Sequence, residues 1–162
     1  MRPLETMHDN SLFLKEIIKV DIYRASGIVE SCDANDLIVT TGRNFIAQRI
    51  AAGDAVNSAM AYTAVGTVST AAVLGNTTLT GEVKRKITCI NSTYSAANVF
   101  SAVSTYGGAA DSITSVQLTE AGVFNHAGSG QGTMMQRVTF SAVTLADSDI
   151  FRIELQTNVG ST

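Results

Sequence analysis

Two histidines are the first candidates for general acid–base catalysis in this sequence. His8 lies near the N-terminus, and His126 lies in the glycine-rich segment FNHAGSGQG. A general base needs a positioned partner, and neither histidine has a carboxylate or a nucleophile at a spacing that would supply one. We therefore interpret His126 as an exposed turn residue and expect that the protein is not an enzyme.

Phosphate and metal sites are the next possibilities. The run GSGQG at 128–132 lacks the GK[ST] ending of a phosphate loop and leads into a strand-like segment, so we interpret it as a hairpin loop. Asp54, Asp111, Asp147 and Asp149 do not have the DxDxDG spacing of a calcium loop and are interpreted as turn residues. We expect no metal and no cofactor.

The two cysteines, Cys32 and Cys89, form no CxxC pair and have no histidine nearby. This spacing excludes the common zinc patterns. We interpret both as small buried apolar residues, with a disulfide between them as the alternative.

Composition limits the classes of partner. The 162 residues suit one domain, and a net charge of -3 with only 15% charged residues leaves no basic face for nucleic acid. No run of about 18 apolar residues predicts a membrane span. The N-terminal stretch MRPLETMHDNSLFLKEIIKV places acidic residues before its apolar part, which is not typical of a signal peptide. We expect a product made in a cytoplasm or assembled there into something larger.

Alternation of apolar and polar residues, which has the period of two that is typical of strands, dominates the elements that must position the candidate residues. Ile18, Val20 and Ile22 alternate with polar neighbours, and a turn at 25–27 returns the chain to a second strand at 28–32. Six further strands are predicted near 59–66, 79–94, 98–105, 112–121, 134–142 and 150–159. The fold class is therefore mainly β, an antiparallel β-sandwich or jelly roll of about eight strands spanning 15–162.

One helix interrupts the strands. Thr40 or Thr41 can cap its start, Gly53 can end it, and Phe45 and Ile46 belong to one apolar face, so we place it at about residues 41–52. Residues 1–14 contain the only proline and no clean period, which predicts an N-terminal arm that is either extended or a short helical piece.

Glu120 stands between apolar residues at the end of a predicted strand. If buried, its carboxylate needs a cationic partner, and Lys84, Arg85 or Lys86 of the charged run that begins at Glu82 could supply it. Glu120, Glu82 and Arg85 would then act as a structural pin for the fold or for a subunit contact. An exposed glutamate at a strand end is the alternative.

Several short motifs resemble a group of tailed-bacteriophage virion proteins of the decoration (cement) or tail-fibre-like kind. The similarity spans about residues 36 to 159, and Val68 stands where a second glycine often follows the GT pair. The motifs are NxIA (Asn44, Ile46, Ala47), AVGT (Ala64 to Thr67), TxLxxEVxR (Thr77, Leu79, Glu82, Val83, Arg85) and TEAGVF (Thr119 to Phe124).

The resemblance implies a small β-rich structural protein that multimerises on a phage particle. The leading hypothesis is a homotrimeric capsid decoration protein, located in the virion, that bridges and stabilises subunits of the major capsid protein. A tail-fibre, collar or baseplate component, with tail proteins as partners, is the alternative. The arm is expected to reach a neighbouring subunit through Pro3, Leu4, Leu12 and Phe13.

A glycan-binding jelly-roll module is a more distant alternative. Sugar sites commonly stack rings on aromatic side chains, and this chain has no tryptophan and only 6% aromatic residues. Tyr62, Tyr94 and Tyr106 are the candidates for such a site.

Overall fold

In the computed structural model of the protein, residues 12–32, 34–52, 59–87 and 99–161 are described. They form nine strands and one helix. The elements in chain order are β1 (Leu12–Tyr23), β2 (Val29–Ser31), β3 (Ala34–Ile38), α1 (Thr40–Ala52), β4 (Tyr62–Gly66), β5 (Glu82–Ile87), β6 (Val99–Gly107), β7 (Gln117–Phe124), β8 (Met134–Thr144) and β9 (Ile150–Ser161).

Two antiparallel sheets hold these strands. Sheet A has the order β2-β1-β9-β6, and sheet B has the order β3-β8-β7-β4-β5. The first and last strands are neighbours in the middle of sheet A, paired from Leu12 with Ser161 to Tyr23 with Ile150. Sheet A therefore needs both ends of the described chain before it can form.

The main hydrophobic core lies between the sheets. Phe151 of β9 contacts Tyr106 and Phe140 with ring centroids 6.2 and 5.5 Å apart, which joins side chains of both sheets. Tilted aromatic pairs of this kind add to the free energy gained from burial alone. Apolar residues of β1, β6, β7 and β8 complete the cluster.

Sheet B also buries part of its second face. Ala64, Leu79, Phe124 and Met134 form a separate apolar cluster on the side away from sheet A, under the connection between β4 and β5. α1 begins near the same cluster, since Thr40 N–H donates to the Leu74 carbonyl oxygen of that connection. A Cβ at Gly42 would collide with the Met135 carbonyl oxygen of β8, while Phe45 and Ile46 of α1 pack on the main core. Side chains on both faces of sheet B are thus shielded from water.

The sandwich of the mainly β fold class is confirmed. The helix predicted at 41–52 is α1, and the alternation in β1 is seen in the buried Val20 and Ile22 beside the exposed Lys19. The strand predicted at 112–121 begins only at Gln117, because Ser112 and Ser115 have positive φ angles of 59° and 61° that are incompatible with an extended strand.

An additional strand and the length of the N-terminal arm also differ from the prediction. β3 was not predicted, since its polar start, Ala34-Asn35-Asp36, has the composition of a turn. The arm predicted at 1–14 is too long, because Leu12 and Phe13 belong to β1 and pair with Ser161 and Gly160. Pro3 and Leu4 lie outside the described residues.

Candidate functional site

A β-bulge in β5 brings two charged side chains to one face. Gly66 of β4 pairs with Glu82 and Val65 pairs with Lys84, so Val83 is an extra residue. Residues three apart in a regular strand point to opposite faces, and the extra residue places Glu82 and Arg85 together. Arg85 Nε and Nη2 lie 2.9 and 2.7 Å from the two carboxylate oxygens of Glu82, a bidentate pair with both side chains nearly fully buried.

Arg85 also holds the loop between β7 and β8. Its Nη1 donates to the carbonyl oxygens of His126 and Gln131 at 2.9 and 3.0 Å, and its guanidinium lies 3.7 Å from the centre of the Phe124 ring. The loop is the predicted GSGQG hairpin loop, with positive φ angles at Gly130 and Gly132. The Nδ1 atom of the exposed His126 accepts a hydrogen bond from Gly128 N–H.

The second ion pair joins β7 to β8. Glu120 has no exposed surface and Arg137 is almost fully buried. Arg137 Nε donates to Glu120 Oε2 at 2.9 Å, while Nη2 lies 2.8 Å from the same oxygen without the alignment for a second hydrogen bond. Because each charge would be very costly to bury alone, removal of either partner would strongly destabilise the sheet.

This pair also fastens the connection between β4 and β5. Glu120 Oε1 accepts a hydrogen bond from Gly81 N–H at 3.0 Å, and Arg137 Nη1 donates to Asn76 Oδ1 at 3.1 Å. Gly66 lies opposite Glu120 in the sheet, and a Cβ there would meet Glu120 Oε1 at 2.6 Å. The glycine is required because the buried carboxylate occupies that space. We call Glu82, Arg85, Glu120 and Arg137 the charged outer face.

The partner predicted for Glu120 was wrong, although the glutamate itself is buried as the pin hypothesis requires. The cation is Arg137 and not Lys84, Arg85 or Lys86, because β8 pairs directly with β7 whereas β4 lies between β7 and β5. An arginine between apolar residues in the segment MMQRVTF was the signal that would have indicated it. Whether the charged outer face also acts as a pin between subunits remains a prediction.

Lys84 and Lys86 project toward sheet A and contact Asp111. Lys86 Nζ lies 2.9 Å from Asp111 Oδ2 and donates to the Thr105 carbonyl oxygen of β6, while Lys84 Nζ lies 3.7 Å from Oδ1. Burial of the Asp111 carboxyl raises its pKa. Hydrogen bonds from Lys86 and from Gly107 N–H, with the charges of both lysines, outweigh that effect and leave the pKa below its usual value.

Asp149 forms a comparable cluster at the β1–β2 hairpin. Its carboxylate accepts hydrogen bonds from the backbone N–H groups of Ala146 and Ala25 and pairs with Arg24 at 2.8 Å. The pKa of Asp149 is lowered most by the hydrogen bond from Ala146 N–H. The contact with Arg24 and the hydrogen bond from Ala25 N–H lower it further. Arg24 also pairs with Glu30 of β2 at 3.0 Å. The carboxylate of Asp149 thus has internal partners on both oxygens.

Tyr62 and Tyr106, the two described residues among the glycan-binding candidates, do not form an aromatic platform. Tyr106 is fully buried, and its hydroxyl lies 2.8 Å from Thr63 Oγ1, so its ring cannot stack on a sugar. Burial raises the pKa of Tyr106 above its usual range, although the hydrogen bond with Thr63 opposes the shift. Tyr62 is half-buried and packs against the apolar cluster of the outer face. Tyr94 lies outside the described residues.

The described ranges contain neither a metal-ligating cluster nor a membrane-spanning helix. No group of three or more His, Cys, Asp or Glu side chains there could hold a metal ion. Asp54, Cys89 and His8 lie outside these ranges, and Cys32 is half-buried against the main core. α1 has 13 residues, and no helix in the described part of the chain is long and apolar enough to cross a bilayer.

No family model, curated protein or solved structure matched the chain in the three comparisons made.

We predict that Glu120→Ala lowers the free energy of unfolding by about 3–5 kcal/mol, because it leaves the Arg137 guanidinium buried without its carboxylate. Urea denaturation followed by circular dichroism measures this change. Glu30→Ala is the matched control, since it removes a glutamate from an exposed ion pair worth about 0–1 kcal/mol. Equal losses for the two variants would contradict a special role for the buried pair.

We predict an acid-dependent contribution from Asp111. Its pKa is lower in the folded protein, so its ionised form stabilises the fold above the unfolded pKa of about 3.9, and this stabilisation disappears as the pH falls through the folded value. The stability of the wild type relative to Asp111→Asn should therefore be larger at about pH 6 than at about pH 2.5. Urea denaturation at both pH values measures it, and a difference independent of pH would refute the assignment.

Proposed function

We propose that this chain is a non-enzymatic structural protein of a tailed-phage virion, a cement or decoration protein that binds the major capsid protein and assembles as a homotrimer. The motifs described above support the phage particle as its location. The buried charges described here pair with one another and stabilise the fold. This arrangement supports a structural role for the chain.

The observation that carries the proposal is that four of the nine exposed large apolar side chains in the described ranges lie at two border strands; the others are on β1, on β9 and on the connection between β4 and β5. Ile28 and Val29 at the β2 edge are each 56% exposed, and Val83 and Ile87 on β5 are 41% and 61% exposed. Both strands lie at the border of a sheet. Border strands with exposed apolar residues are typical sites of association with another chain.

The charged outer face makes the β5 border suitable for such a contact. Arg85 ties β5 to the loop after β7, and Glu120 ties the chain just before β5 to β7. A surface held in place before binding loses little conformational entropy when the partner arrives. A partner bound there gains more net free energy than it would from a mobile strand.

Cementing follows from contacts of this kind made with several capsid subunits at once. Expansion of the shell would expose the apolar area that each contact buries, at a cost of about 25 cal/mol per Å². The protein would then resist internal pressure without performing any chemical step. A tail-fibre, collar or baseplate component could use the same contacts, so only its position in the particle separates the two roles.

We predict that a labelled form of this protein is distributed over the shell of the virion. Electron microscopy of particles carrying an antibody label measures the distribution, and particles from a deletion strain are the control for non-specific labelling. Label confined to one vertex or to the tail would contradict the cement role and would favour a tail-fibre, collar or baseplate component. Absence of label from intact and from opened particles would refute a virion protein altogether.

We predict that removal of residues 1–11 weakens binding to the particle while the domain still folds. The deletion stops before Leu12 because β1 begins there and pairs with β9. Sedimentation with particles that lack the protein measures binding, and thermal unfolding of the isolated variant measures folding. Loss of the folded state would show that the deleted segment belongs to the core, and unchanged binding would remove its role as an arm.

A further inference from the structure

Two of the border strands lie on opposite sides of the sandwich. β2 borders sheet A and β5 borders sheet B. β1 lies against β3, and β4 lies against β6, so the β2 side and the β5 side are at opposite ends of the two sheets. Among the side chains that are described, the other two border strands, β3 and β6, carry none of the large exposed apolar residues. The β2 and β5 borders are therefore distinguished from the others.

Among the described residues, one cluster of ion-paired side chains at each border carries a net charge, and the two net charges are opposite. On the β5 side, Lys84 and Lys86 share the single carboxylate of Asp111, which leaves one positive charge in excess. On the β2 side, Arg24 alone is paired with both Glu30 and Asp149, which leaves one negative charge in excess. We call these the β5 cluster and the β2 cluster. Each lies beside a pair of exposed apolar residues, Val83 with Ile87 and Ile28 with Val29.

Pairing of β5 with the β5 of another copy is unfavourable. The strand reads EVKRKI, with three cations in succession after Val83. Glu82 neutralises Arg85, but an antiparallel pair that opposes Lys84 to Lys86, or Lys84 to the Lys84 of the other copy, would place two lysines opposite each other. Like charges directly opposite are destabilising. Opposite net charges instead favour contact between the β5 border and the β2 border.

We propose that the β5 border of one copy binds the β2 border of a second copy. The inference rests on the proposed assembly role and adds which two surfaces meet. In this contact, Val83 and Ile87 meet Ile28 and Val29, and the β5 cluster meets the β2 cluster. The contact is heterologous because different surfaces of the two copies take part, so it builds a closed ring if the rotation between copies closes and a filament if it does not.

Lys84 and Glu30 are the best positions for a test. Lys84 is the more distant of the two lysines from Asp111, and the Glu30 side chain is 48% exposed, so either change should leave the fold intact. Lys84→Glu makes the β5 cluster negative, and Glu30→Lys makes the β2 cluster positive. Either variant alone opposes like charges across the contact, whereas the combined variant restores opposite charges.

The experiment measures self-association of the full chain by analytical ultracentrifugation over a range of concentrations. The wild type should associate, and each single variant should raise the dissociation constant by about tenfold or more. The combined variant should return to within about threefold of the wild type, since the charge pair is re-formed with its sign exchanged.

Lys19→Glu is the matched control, because it makes the same charge change at an exposed site on β1, inside sheet A. It should associate as the wild type does, and thermal unfolding should show all four variants folded. A monomeric wild type, or a combined variant no tighter than the weaker single variant, would overturn the contact. A monomeric wild type would also count against the homotrimer of the proposed function, whereas a combined variant that is not rescued would overturn this contact alone. Neither result would affect the labelling of virions, which tests the role in the particle separately.

Discussion

The buried ion pair between Glu120 and Arg137 is the contact on which the second face of sheet B depends. Two charges removed from water remain stable only when each has close and well-directed partners. Here the carboxylate accepts from Arg137 and from Gly81 N–H, and the guanidinium also donates to Asn76. The long connection before β5 is therefore held against the sheet by charged hydrogen bonds as well as by Leu79. The absence of a side chain at Gly66 follows from the space that the carboxylate occupies.

The charged outer face also determines which side chains the β5 border exposes. The bulge at Val83 places Glu82 and Arg85 together on the face away from sheet A, where they pair with each other, and it leaves Val83 exposed. Lys84 and Lys86 are directed to Asp111 and so link the border of sheet B to sheet A. Charges that look like a solvated run in the sequence are thus divided between two sides of one strand. A bulge and inward charges also limit uncontrolled strand addition.

These features relate stability to assembly. A border strand that is held by buried ion pairs, and that still exposes two apolar side chains, has little freedom to lose when a neighbour binds. The excess positive charge beside it and the excess negative charge beside β2 favour an ordered contact between unlike surfaces. Electrostatic complementarity of this kind contributes to the choice of partner more than to affinity. The structural role proposed for the chain requires such selectivity.

The sequence by itself determined the β-rich class, α1, and the strands with clear alternation such as β1 and β9, because these depend on local periodicity. It also indicated Glu120 as a residue that would need a partner if buried. It did not identify Arg137 as that partner, and it did not predict β3 or the bulge that pairs Glu82 with Arg85. Only the tertiary structure decided these contacts, since they depend on which strands become neighbours and in which register. Alternation within one strand carries no information about the strand that will lie beside it.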